Sequence, residues 1–203
     1  MELIGMLDSP YVRRVAVTLH LLEQPFVHRP ISVFSTFAQF QAINPVVKAP
    51  TLVCDDGLTL MDSTLIIDHV ETVAGRSLMP RGAGQRQRAL RIVGLGLAAC
   101  EKSVQIVYER NLRPAEKRHE PWMARVKAQL AAACAELEAE LAAQRVPADA
   151  SSMTQADVTA AVAWRFTQEL LPGEVDPSSH PATARHSQAC LLYTSDAADE
   201  EDS

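Results

Sequence analysis

Every strand-like run in this 203-residue sequence falls before residue 62, and everything after a basic, Pro/Gly-containing linker at 76–83 repeats at helical spacing. A chain that segregates its strands from most of its helices builds a mixed α/β layer and a separate helical core rather than one alternating sheet. The length allows this, since domains run from about 50 to 200 residues. The sequence therefore predicts an α/β unit followed by an all-α unit.

The first half is punctuated closely. A short apolar run over residues 2–7 ends at Asp8-Ser9-Pro10, where a hydroxyl N-cap followed by proline opens a helix. Val12, Val15, Ala16, Leu19 and Leu22 then form one apolar stripe. Gln24-Pro25 closes that helix, and Phe26 to Val33 reads as a second strand, parallel to the first through a right-handed crossover. Ser35 to Ile43 is a short helix stopped by Asn44-Pro45. Pro50 to Cys54 and Leu58 to Met61 form an antiparallel hairpin through Asp55-Asp56-Gly57. Ile66, Ile67, Val70 and Val73 return to helical spacing, with Gly75 as a left-handed stop.

In the second half Leu90, Val93, Leu97, Cys100, Val104 and Val107 define a seam along a long bundle helix, which places Cys100 in a core. A second long helix over 121–145 buries Trp122, Val126, Leu130, Ala133, Leu137 and Leu141. Thr154 and Asp157 make a capping box. The helix it opens, apolar on nearly all sides from Val158 to Phe166, belongs at the centre of the bundle. Asp196 to Ser203 has the acidic composition of a disordered tail.

Several function classes are disfavoured. A net charge of −6 lacks the basic face that nucleic-acid binders use to neutralise phosphates. The first residues, Met1 to Leu7, show neither a basic n-region nor a cleavage site, and no run approaches the roughly 20 apolar residues of a membrane span. Cys54, Cys100, Cys134 and Cys190 are widely spaced, a pattern that fits reduced thiols in the cytoplasm. The six histidines have no zinc-ligand spacing, so no metal is expected. His186 and Cys190 share a helix face, where packing is the expected role.

Four separated features together resemble the cytosolic glutathione transferase superfamily over about 190 residues, most closely its bacterial, serine-using members. They are Asp8 to Val15 at the turn into the first helix, Asn44-Pro45 with Val47-Lys48-Ala49-Pro50-Thr51-Leu52, Leu60 to Ile66 containing Asp62-Ser63, and the box at Thr154 to Asp157. The resemblance implies a thioredoxin-like glutathione-binding domain over 1–80, an all-helical substrate domain over 81–190, and an atypical acidic tail over 191–203. It implies glutathione as co-substrate, a small hydrophobic electrophile, a detoxifying role and a homodimer. Ser9, at the positive end of the first helix, would activate the thiol. A hydrogen bond to a charged group is worth roughly 1.5–3 kcal/mol, enough to lower a thiol pKa by about one to two units. Lys48 would meet the glycyl carboxylate, and a cis Pro50 would expose the Ala49 backbone to the peptide. Asp62 and Ser63 would take the γ-glutamyl ammonium and carboxylate. Tyr108 would touch the electrophile.

The sequence also departs from the family pattern. Val47 stands where the family commonly has glycine, and Ala49 where it commonly has valine. Tyr11 is an alternative thiol-activating hydroxyl. Leu191 to Ser203 does not continue into the family's Pro/Phe-containing closing segment and is expected to be foreign to the ancestral fold. A noncatalytic glutathione- or protein-binding module, or a glutathione-dependent isomerase or dehalogenase, is the alternative reading.

Overall fold

The computed structural model of the chain describes residues 1–144 and 146–199, with side chains as far as Leu192. Contacts divide it into two units, Met1–Leu78 and Met79–Ser203. The first unit runs β1 (Glu2–Ile4), α1 (Pro10–Leu21), β2 (Val27–Arg29), α2 (Phe37–Ile43), β3 (Thr51–Val53), β4 (Thr59–Met61) and α3 (Ser63–Ala74). Its mixed sheet has the order β2-β1-β3-β4. Strand β1 is parallel to β2, with Leu3 opposite His28, and antiparallel to β3, with Leu3 opposite Leu52. This is the thioredoxin-like arrangement that the resemblance implies.

The strands are shorter than the apolar runs that encode them, for local reasons. Gly5 takes φ 139°, which ends β1, and Pro30 has no amide to donate, which stops β2 at Arg29. The stripe of α1 is buried as the spacing predicts, with Val12, Val15 and Leu19 packed against Leu3, Leu52, Ile66 and Val70. Each such side chain contributes about 1.5–3 kcal/mol through burial. Ile4, Ile31 and Phe40 form a smaller cluster. Gly75 closes α3 at φ 62°, the left-handed stop expected there.

The second unit packs α4 (Ala83–Asn111), α5 (Glu120–Ala142), α6 (Gln155–Leu170) and α7 (Pro181–Asp199). Helix α6 is buried continuously from Gln155 to Trp164, and the Thr154–Asp157 capping box is present at its start. The seam of α4 differs from the sequence reading. Its buried face is Ala89, Ile92, Val93, Gly96, Ala99, Cys100, Ser103 and Ile106, while Leu90 is more than half exposed. The reason is close helix approach: a Cβ on Gly96 would lie 3.3 Å from the Thr159 carbonyl oxygen. Small residues set this contact, and a pattern weighted towards large apolar residues misses its phase. On α5 the predicted positions Val126, Leu130, Ala133, Leu137 and Leu141 are buried, but Met123 takes the place expected of Trp122, which is 42% exposed.

A tail was expected from residue 191, yet α7 runs on to Asp199. No glycine or proline after Pro181 interrupts it. The rest of the tail, Glu200 to Ser203, lies outside the described residues. Among the described residues no helix is long and apolar enough to cross a membrane.

Candidate active site

The start of α1 is shaped by a tight turn. Ser9 N–H donates to the Met6 carbonyl at 3.1 Å, and Arg13 Nε donates to the Leu7 carbonyl at 2.9 Å. Ser9 is the N-cap, with Pro10 at the first helical position and no acidic residue in the first turn. Its Oγ accepts from Val12 N–H at 3.5 Å, the outer limit of a hydrogen bond, while its carbonyl accepts from Arg13 N–H at 3.0 Å. Among the described residues the Ser9 O–H has no acceptor. Ser9 and Tyr11 are both half-buried.

A second element converges on the same place. The Ala49–Pro50 peptide bond is cis, as the resemblance implies. Gly5 sits beneath this turn: a Cβ there would lie 2.6 Å from Val12 Cγ2 and 3.2 Å from Ala49 Cβ. The end of β1, the first turn of α1 and the cis-proline turn are thus in van der Waals contact, and only glycine fits between them. Buried Asn44 holds the turn from the other side. Its Nδ2 donates to Thr51 Oγ1 at 2.8 Å, its Oδ1 accepts from Val46 N–H at 3.0 Å, and Thr51 Oγ1 donates to the Lys48 carbonyl at 2.8 Å. Among the described residues the N–H and C=O of Ala49 are unpaired.

The third element is the start of α3. Asp62 is its N-cap at φ 62°, with Oδ1 accepting from Thr64 N–H at 2.9 Å and Oδ2 standing 3.6 Å from Lys48 Nζ. Both partners of this ion pair are about half exposed, so water screens it heavily. Ser63 is buried, and its Oγ accepts from Arg14 Nη1 at 3.0 Å; the same nitrogen reaches Thr64 Oγ1 at 3.1 Å. Fully buried Arg14 therefore ties α1 to the first turn of α3.

Lys48, Ala49, Pro50 and Asp62 are brought together with the Gly5 turn, and Ser63 is joined to α1 through Arg14. Sequence reasoning overlooked Gly5, Asn44 and Arg14 as positioning residues. The Asn-Pro stop held the one available signal, because a side-chain amide before a turn is suited to bond the backbone that follows. The other two depend on partners 44 and 49 positions away. Cys54 stands 3.7 Å from His69 Nε2, but burial, reinforced by Asp56 and Asp55, pushes its thiol up and keeps it protonated.

In the helical unit, partly exposed Tyr108 lines a cavity of about 490 Å³ with Gln105, Glu109, Leu112, Arg113, Pro114, Lys117 and Trp122. His186 and Cys190 pack inward, with His186 Nε2 at 3.1 Å from Asp157 Oδ1. Burial, and then the Asp157 charge, pushes the Cys190 thiol up to about 12. These two residues are structural.

Residues 3–77 match the family model described as the glutathione S-transferase N-terminal domain, and residues 120–189 match the glutathione S-transferase C-terminal domain. The chain belongs to the glutathione S-transferase family. It is 26% identical over 179 residues to the uncharacterised GST-like protein YibF of Escherichia coli K12, covering 85% of this chain and 86% of that protein. A glutathione transferase family member from Pseudomonas fluorescens Pf-5, solved with bound glutathione, is 28% identical with a TM-score of 0.77, covering 95% of this chain and 97% of its own. A glutathione S-transferase from Methylobacterium radiotolerans, solved in complex with glutathione sulfonate, is 25% identical with a TM-score of 0.82, covering 95% and 93%.

Proposed function

We propose that this chain is a glutathione transferase that ionises the glutathione thiol at Ser9 and delivers it to a small electrophile with an apolar body. The observation that carries this reading is the state of the α1 N-terminus. Among the described residues Ser9 Oγ accepts only one stretched bond and has an O–H to donate, at a helix end with no acidic residue in its first turn. A thiolate there would gain a charge-assisted hydrogen bond and the favourable end of the helix dipole. Tyr11 is the alternative donor.

The remaining roles follow from chemistry. The unpaired Ala49 backbone beside Pro50 suits an extended tripeptide, which would add to it as a strand does. Lys48 would exchange its screened contact with Asp62 for the glycyl carboxylate, which frees Asp62 for the γ-glutamyl ammonium. The first turn of α3, with Ser63, would accept the γ-glutamyl carboxylate. Tyr108 would contact the electrophile. The glutathione bound by the Pseudomonas fluorescens relative supports this co-substrate.

We read the protein as a cytoplasmic homodimer: α3 exposes Leu65 and Val73, and α4 exposes Leu90, all more than half accessible in the single chain. Monomer alone in sedimentation at micromolar concentration would refute the dimer.

The deciding experiment titrates glutathione into wild type and Ser9→Ala across pH while following thiolate absorbance. A bound-thiol pKa below that of free glutathione in wild type alone supports activation at Ser9. A shift that survives in Ser9→Ala moves the role to Tyr11. Binding with no shift in either protein indicates a noncatalytic module.

A further inference from the structure

The cavity that contains Tyr108 has a composition that an apolar electrophile alone does not explain. It lies within the helical unit, between the last turns of α4, the short 3₁₀ turn Ala115–Lys117 and the first turn of α5. Tyr108, Leu112 and Trp122 are each more than two-fifths exposed. Three large apolar side chains around one concavity are the ordinary lining of a small-molecule site, and the two aromatic rings suit a planar guest.

Its charges are unequal. Glu109, the one acid among the lining residues, is buried and already bonded: its Oε2 accepts from Arg113 Nε at 2.8 Å and its Oε1 from the His119 N–H at 3.2 Å. Burial pushes Glu109 up, but these bonds and the nearby Arg113 and Arg118 charges hold its carboxyl below the ordinary value. It is therefore an internal counter-ion. Arg113 spends only Nε on it, and the Lys117 ammonium has no hydrogen bond or ion pair among the described residues. The cavity is lined by two aromatic rings, one cation with donors to spare and a second whose ammonium has no partner among the described residues.

We infer that this cavity binds an aromatic monocarboxylate, with its ring on Tyr108 and Trp122 and its carboxylate at Arg113 and Lys117. The inference rests on the functional reading above only in assigning Tyr108 to the ligand's side. If that reading holds, it narrows the electrophile class to aromatic compounds that carry an acid group. An arginine fork and a lysine point charge recognise a carboxylate in complementary ways.

The test is isothermal titration calorimetry on the full chain without glutathione, using 1-naphthoate and its neutral analogue 1-naphthylmethanol. Saturable 1:1 binding of naphthoate is expected, about fivefold tighter than the alcohol at low salt, as partly exposed ion pairs allow. The preference should shrink as salt is added. Lys117→Gln, which removes no internal bond among the described residues, should cut it to about twofold. Arg113→Gln should cut it as well, with circular dichroism and the thermal midpoint reporting whether the helical unit stays folded once Glu109 loses this partner. Equal affinity for the two probes, indifference to Lys117→Gln, or no saturable binding up to the solubility limit would each overturn the inference. Glutathione titrated separately into the same protein tests the Ser9 reading, so the two can fail independently.

Discussion

Helices α1 and α6 both begin with a hydroxyl N-cap, and the two ends are finished in opposite ways. At α6, Thr154 and Asp157 satisfy each other's backbone: Asp157 Oδ2 accepts from Thr154 N–H at 2.7 Å and from its Oγ1 at 2.6 Å, while His186 reaches Oδ1 from α7. The same logic holds α7, whose first N–H groups at Ala182 and Thr183 donate to Glu138 of α5 at 2.9 and 2.7 Å. The hydroxyl caps themselves are alike, 3.4 Å from Asp157 N–H to Thr154 and 3.5 Å from Val12 N–H to Ser9, but at α1 no side-chain carboxylate lies in the first turn. A helix end that carries its own acid has no use for a ligand's negative charge. One left without such a partner keeps its affinity for an anion.

The contrast is sharpest under mutation. Asp157→Ala removes a capping bond and leaves His186 buried without its partner, so it should cost about 3 kcal/mol, read as a lower urea midpoint at unchanged slope. The pH dependence has a fixed sign. Burial pushes Asp157 up, but the bonds from His186 and Thr154 outweigh it, and the folded pKa lies below the ordinary value. Its contribution is therefore complete above the ordinary carboxylate pKa of about 4 and is lost as pH falls through the lowered folded value. Wild type should lose stability in that acid window more steeply than Asp157→Ala; parallel curves would show that this pair does not govern acid unfolding.

Ser9→Ala should behave in the reverse manner. Loss of a stretched cap bond costs well under about 1 kcal/mol of stability, yet the bound thiol should lose about one to two units of pKa depression. A variant unfolded by this change would mean that the two helix ends are alike after all. Glu138→Gln keeps the shape at α7 but removes the charge, and a cost of about 1.5 kcal/mol in the same denaturation assay is expected.

What the sequence disclosed follows the range of the interactions. The Thr154–Asp157 box, the Gly75 stop and the stripe of α1 depend on neighbours within four residues, and all are present. The spacing of large apolar residues misses the phase of the α4 seam because its packing against α6 is made by small residues, Gly96 on Thr159 and Ser103 bonded to Thr167 Oγ1. At the candidate site the motifs marked Ser9, Lys48, Pro50 and Asp62. The parts that position them, Arg14 to Ser63 and Gly5 beneath Ala49, join residues more than 40 apart and leave no local trace. The His186–Asp157 pair is of the same kind. His186 and Cys190 could be placed on one face, but the acid they meet lies on another helix.

Val47 gives the smallest and most discriminating test. It adopts φ 52°, a left-handed conformation that a β-branched residue strongly resists, at the position where the family commonly has glycine. Such strain costs about 1–3 kcal/mol and persists only where the surroundings enforce it. Here Val47 N–H donates to the Asn44 carbonyl at 2.9 Å, and its half-buried side chain packs on the Ile4, Ile31 and Phe40 cluster. Val47→Gly removes both the strain and that packing, and glycine also adds conformational freedom to the unfolded chain. These effects nearly cancel, so a change in stability within about 1 kcal/mol is expected. Glutathione affinity separates them. If the Asn44 and Thr51 bonds alone fix the Lys48-Ala49-Pro50 turn, affinity should be unchanged in Val47→Gly and should fall in Asn44→Ala. A loss in Val47→Gly comparable to that in Asn44→Ala would mean that the strained valine, rather than the hydrogen-bonded frame, holds the backbone of Ala49 in place.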